Sequence, residues 1–134
     1  RFTLDSAGKM QNRDVSNVKI NAVETLPNFE EAPHVSKHNG IYYLVYAAGF
    51  PESLAYATST SPAGPWKYQG IIMEPIPGTT TIHPALFDFK GSTYLAYHSA
   101  DLPGGGSYRR SVCVDRINFN EDGTIKTIVR TFKK

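Results

Sequence analysis

Ala32-Pro33-His34-Val35-Ser36-Lys37-His38-Asn39-Gly40-Ile41-Tyr42-Tyr43-Leu44-Val45-Tyr46 is the stretch that decides how this chain folds. Pro33, Asn39-Gly40, Tyr43-Leu44 and Tyr46 return as Pro84, Lys90-Gly91, Tyr94-Leu95 and Tyr97, each displaced by 51 positions, 84 minus 33. One shared register marks an internal repeat, and periods of roughly 20 to 50 residues belong to solenoids and propellers. Each unit reads as an apolar strand, a hairpin turn and a Tyr-rich strand: Ala32 to Lys37 into Ile41 to Ala47, and Pro84 to Phe89 into Thr93 to His98. Two further strands are expected in each unit. These are Leu54 to Thr58 and Lys67 to Met73 across Ser61-Pro62-Ala63-Gly64-Pro65, and Ser111 to Ile117 and Thr124 to Arg130 across Asn120-Glu121-Asp122-Gly123. Four antiparallel strands make a blade, so the fold class is all-β, a β-propeller.

The ends carry a second match. Arg1-Phe2-Thr3-Leu4-Asp5-Ser6-Ala7-Gly8-Lys9-Met10 runs in step with Arg116-Ile117-Asn118-Phe119-Asn120-Glu121-Asp122-Gly123-Thr124-Ile125. The chain then opens inside a blade and covers about two and a half blades. Residues 1–27 are the end of one blade and its connection, 28–75 a whole blade and 76–134 the next. A propeller closes with at least about four blades, so the missing ones are expected in a second polypeptide, a proteolysed remainder or another copy.

Composition narrows the function classes. Fourteen Lys and Arg stand against twelve Asp and Glu with no basic run, which argues against nucleic acid as a partner. No segment reaches the roughly 18 apolar residues of a membrane helix, and the N-terminus lacks a signal-peptide layout. Cys113, within Ser111-Val112-Cys113-Val114, reads as a packed thiol. Eight Tyr, seven Phe and one Trp suit strands and sugar-binding clefts alike.

Three motifs, taken in order, carry a resemblance. They are Glu31-Ala32-Pro33-His34 leading to Asn39-Gly40-Ile41-Tyr42-Tyr43-Leu44; Ala57-Thr58-Ser59-Thr60-Ser61-Pro62-Ala63-Gly64-Pro65-Trp66; and Arg110-Ser111-Val112-Cys113-Val114-Asp115-Arg116 with Asn120-Glu121-Asp122-Gly123-Thr124-Ile125. Together they resemble the C-terminal portion of glycoside hydrolase family 43, whose members are five-bladed propeller β-xylosidases, α-L-arabinofuranosidases and arabinanases. The resemblance implies an inverting glycosidase acting on xylosyl or arabinofuranosyl linkages of plant polysaccharides, secreted or periplasmic. The alternative is a non-catalytic carbohydrate-binding or structural propeller.

Inversion uses one carboxylic acid to protonate the leaving oxygen and one carboxylate to activate water, roughly 6.5 to 9.5 Å apart. By motif the acid is Glu31. To hold its proton it should be partly desolvated or close to another carboxylate, whereas Glu30 should face solvent. The resemblance places the base and a third carboxylate in blades this chain does not contain, and Asp5, Asp88, Asp101, Asp115 and Asp122 match neither; the chain alone is expected to be inactive. His83, in Thr81-Ile82-His83-Pro84, matches a family histidine that helps hold calcium, often through water. Because the repeat pairs Ile82 with Glu31 and His83 with Ala32, strand alternation sends Glu31 and His83 in different directions. Arg110, with Arg109 as the one-residue alternative, matches the arginine that binds the sugar. His34 lines the cleft by its place in the acid motif. Phe50 and Tyr108 are candidates to stack on sugar rings, while Trp66 packs between blades.

Overall fold

A computed structural model describes residues 3–4, 6–7, 10–11 and 25–131. Asp5 and most of the connection expected over Gln11 to Pro27 lie outside the described residues. β1 (Thr3–Leu4) and β2 (Met10–Gln11) form an antiparallel pair with Leu4 opposite Met10. The same pairing appears at the other end as the bridge between Phe119 and Ile125, the positions that match Leu4 and Met10.

The first large sheet has the order β3 (Phe29–His38), β4 (Ile41–Ala48), β5 (Ser53–Ser59), β6 (Lys67–Met73). The second has the order β7 (Ala85–Phe89), β8 (Ser92–Ser99), β9 (Ser111–Arg116). The repeated hairpins turn alike. Asn39 and Gly40 have φ of 48° and 84°, and Lys90 and Gly91 have 47° and 74°. Two consecutive positive φ values match the right-handed twist of the flanking strands, so the second sheet tolerates a lysine at the first of them.

Among the described residues, Thr124 to Arg130 does not form the fourth strand expected of the second sheet. After Ile125 meets Phe119, Lys126 N donates to Asn118 O at 2.8 Å and Ile128 N donates to Ile72 O of β6 at 2.8 Å. The segment's hydrogen bonds therefore reach back to the first sheet instead of continuing along β9. Its apolar side chains explain this: Ile125 and Ile128 enter the core between the two sheets, so the backbone follows them.

That inter-sheet core contains Tyr43, Val45, Leu54, Tyr56 and Ile72 from one side and Ile82, Leu86, Leu95 and Tyr97 from the other. A second cluster, Leu26, Leu44, Tyr46, Ala48, Ala55, Ala57 and Trp66, lies on the opposite face of the first sheet. β4 is consequently buried on both faces, which is why it reads as an unbroken apolar run. Trp66 packs in this second cluster at 5 % exposure, and Cys113 is half-buried with its Sγ 3.2 Å from Ser99 Oγ. The outer face of the second sheet is open, with Val112 80 % and Val114 49 % exposed and the Phe87 and Tyr94 rings stacked 5.7 Å apart.

Candidate active site

The site forms where the start of β3, the β4–β5 turn and the segment before β7 converge. β3 is not a regular partner of β4: Glu31 opposes Ala47 and His34 opposes Val45, so three steps on β3 face two on β4. Ala32 absorbs the extra residue with φ of 54°, in the left-handed region. This bulge turns Glu31 away from the direction that simple alternation gives it. His83 lies two residues before β7 begins and is free of that strand's alternation. As a result the two side chains meet, with His83 Nε2 2.8 Å from Glu31 Oε1. The expectation that they diverge is corrected by the bulge.

A third group completes the cluster. Glu52, in the turn between β4 and β5, is 4 % exposed, and its Oε2 accepts a 2.6 Å hydrogen bond from Ile82 N. One ligand-type atom from each of Glu31, Glu52 and His83 lies within 4.8 Å of the others. The two carboxyls differ electrostatically. Burial, opposed by the Ile82 N–H, pushes the Glu52 carboxyl up, and the nearby Glu31 charge adds to this. The His83 hydrogen bond draws the Glu31 carboxyl below its ordinary value against some desolvation, with the charges of His83 and Arg110 helping. Glu31 thus has the neighbouring carboxyl expected of it but not the burial, since its side chain is 47 % exposed. Glu30 faces solvent.

The lowered Glu31 value gives a pH expectation for this chain. A carboxyl depressed in the folded state contributes stability that is present above its unfolded value and is lost as pH falls through the folded value. Carboxyl-carbon NMR titration should find Glu31 below the ordinary glutamate range, and His83→Ala should raise it; an unmoved titration would contradict the pairing.

The remaining side chains divide clearly. Arg110 turns toward the cluster: its Nε donates to Ser107 O at 2.7 Å, one Nη donates to Thr81 Oγ1 at 3.2 Å, and the other lies 3.5 Å from His98 Nε2. Arg109 instead exchanges backbone hydrogen bonds with Gly106 in the preceding turn. His98 Nε2 accepts from His83 N at 3.2 Å, so the Nδ1 carries the ring proton in the neutral form; Nδ1 is buried without a partner. Burial, then the Arg110 and His83 charges, hold the His98 ring below its ordinary value and favour that neutral form. The His34 ring is committed elsewhere, donating from Nε2 to Leu86 O at 3.0 Å and so tying β3 to β7. Phe50 and Tyr108 are 72 % and 99 % exposed.

Residues 3–125 match the family model of glycosyl hydrolases family 43. The chain belongs to family 43. Among curated family 43 relatives it is 40 % identical over 109 residues to a xylosidase/arabinosidase of Bacteroides ovatus, covering 81 % of this chain and 33 % of that protein. It is 38 % identical over 100 residues to a β-xylosidase of Xylanibacter ruminicola, covering 75 % and 31 %. Among solved structures, it superposes with a TM-score of 0.71 and 39 % identity on a family 43 β-xylosidase/α-arabinofuranosidase from a compost metagenome, solved with xylotriose in a calcium-free form, covering 78 % of this chain and 32 % of that one. A family 43 enzyme of Xanthomonas citri superposes with a TM-score of 0.71 and 36 % identity, covering 93 % and 35 %. The chain spans about a third of the length of the curated relatives it matches.

Within this cluster of the family 43 chain, Glu52 and His98 escape a reading of the sequence. Glu52 follows Phe50-Pro51 at a hairpin tip, where a charged residue is expected in solvent. Burial of that turn against Thr80 to Ile82 comes from tertiary packing, and the local sequence carries no signal of it.

Proposed function

We propose that the whole protein of which this chain is part is an inverting glycosidase, removing xylosyl or arabinofuranosyl units from plant polysaccharide, with Glu31 as its general acid. The observation that carries the reading is the approach of Glu31 Oε1 to His83 Nε2 at 2.8 Å beside the buried carboxyl of Glu52, within the family's acid motif. Glu31 would protonate the leaving oxygen, and a base outside this chain would activate water on the opposite face of the sugar. Arg110 offers a planar fork of donors to the sugar hydroxyls, and Phe50 and Tyr108 offer exposed rings. Oligosaccharide as substrate agrees with the xylotriose in the compost enzyme, and a polymeric substrate implies work outside the cytoplasm.

The donor set also fits calcium. The Glu31 and Glu52 carboxylates are the oxygen donors calcium takes, and His83, a nitrogen donor beside them, would hold the ion through water. Water would complete the shell. When bound, the ion supplies fixed positive charge beside the two carboxyls.

The low Glu31 carboxyl favours a second reading, in which the residue accepts hydrogen bonds from a sugar and no bond is cleaved. Turnover separates the two. The whole protein should hydrolyse 4-nitrophenyl xyloside or arabinofuranoside, whereas the 134-residue chain alone should not. Turnover by the chain alone would overturn the assignment of the base to other blades; binding without turnover by the whole protein would favour the second reading.

A further inference from the structure

The segment Thr79 to His83 joins the parts of the site. From it, His83 reaches Glu31 and the Thr81 hydroxyl reaches Arg110. Thr80 adds two contacts to Ser107, from its N at 3.3 Å and its Oγ1 at 3.2 Å, and the Ser107 carbonyl accepts from Arg110. The segment belongs to no strand, so its own backbone groups need partners outside a ladder. Glu52 supplies two of them. Its N donates to Thr80 O at 3.0 Å and its Oε2 accepts from Ile82 N at 2.6 Å.

We infer that Glu52 is a positioning residue: its backbone and carboxylate grip Thr80 and Ile82, and through them set His83 against Glu31 and Thr81 against Arg110. The inference rests on the reading of Glu31 as the acid. A buried acceptor lost at Ile82 leaves an unpaired backbone N–H, and the segment must shift to find water. Displacement of about 1 Å at a reacting centre costs on the order of 100-fold in rate. The part of the loss that passes through His83 and Glu31 falls on the acid apparatus and lowers kcat according to the leaving group, whereas the part that passes through Thr81 and Arg110 raises KM on both substrates alike. An unactivated disaccharide needs its leaving oxygen protonated, and a nitrophenyl glycoside needs this far less.

The test compares Glu52→Ala, Glu52→Gln and Glu31→Gln in the whole protein on xylobiose and on 4-nitrophenyl xyloside, or on the corresponding arabinofuranosides. The glutamine oxygen can still accept from Ile82 N, so on the disaccharide Glu52→Gln should keep a kcat roughly 10-fold above that of Glu52→Ala. Glu52→Ala should lose roughly 10- to 100-fold in kcat on the disaccharide and much less on the nitrophenyl glycoside. Should the alanine variant not fold, Glu52→Asp, which withdraws the carboxylate by one methylene, takes its place with the same expectation. Equal losses of kcat on both substrates, or no loss in the alanine or aspartate variant, would overturn the inference, as would a glutamine variant as impaired as alanine. Failure of the underlying reading looks different: Glu31→Gln would then hydrolyse the disaccharide as well as the parent does.

Discussion

Glu31→Gln in the whole protein should lower turnover of an unactivated xylo- or arabino-oligosaccharide by roughly 10²- to 10⁴-fold, the usual contribution of a positioned general acid. The glutamine keeps the length of the side chain, and its amide oxygen can still accept from His83 Nε2, so the local geometry and sugar binding should survive. What it cannot do is give up a proton. Nitrophenyl glycosides should therefore be spared relative to the oligosaccharide, and the difference between the two substrates isolates acid catalysis from damage to the fold. In this chain His83 draws the Glu31 carboxyl down, which leaves it ionised at neutral pH. An acid at work needs the opposite bias, and the neighbouring Glu52 does not supply it, since its hydrogen bond with Glu31 also lowers the Glu31 carboxyl. Kinetics with matched substrate pairs, alongside calorimetry of sugar binding, measure the effect. Unchanged turnover of the oligosaccharide would remove Glu31 from the chemistry.

The largest expected effect on stability lies at Arg130. Its guanidinium hydrogen-bonds the Asp101 carboxylate, donates from Nε to Tyr97 Oη at 3.3 Å and lies 5.8 Å from the centre of the Tyr97 ring. Tyr97 in turn donates to Asp115 Oδ2 at 2.7 Å, and Asp115 Oδ1 accepts from both N and Oγ1 of Thr131. The Arg130 and Asp101 side chains are 19 % and 11 % exposed, so the pair is mostly withdrawn from water. Arg130→Met keeps much of the volume but leaves Asp101 as an uncompensated carboxylate. Removing one partner of a buried pair costs about 3 to 5 kcal/mol, and the residual exposure favours the lower end. Denaturant unfolding of the whole protein measures it. A loss under about 1 kcal/mol would class the pair with ordinary surface ion pairs. Arg130→Met with Asp101→Asn should recover part of the loss, because the buried charge is gone.

The 51-residue repeat made both Tyr-rich hairpins and their turns legible, since Asn39-Gly40 and Lys90-Gly91 encode the same reversal within two residues. Family resemblance singled out Glu31 and Arg110, and the structure brings both side chains to the segment of Thr81 to His83. Three features were not legible, and each depends on contacts distant in sequence. The β3 bulge appears as no gap in the repeat, because the extra residue in one strand leaves no mark in a single sequence. Glu52 looks like a turn acid until Thr80 to Ile82 covers it. Thr124 to Arg130 has strand composition, but its hydrogen bonds are divided between Asn118 and Ile72, a division set by where Ile125 and Ile128 find apolar company.

The bulge at Ala32 also bears on how such a site can change over generations. Glu31 is aimed by backbone dihedrals, and exchanging side chains around it leaves those dihedrals largely in place. Point mutation can thus alter the neighbours of Glu31, while its direction is held by a count of residues. Lineages that redirect this carboxyl should do so by insertion or deletion between Phe29 and His34, and a library built by substitution alone would explore its surroundings without ever moving its aim.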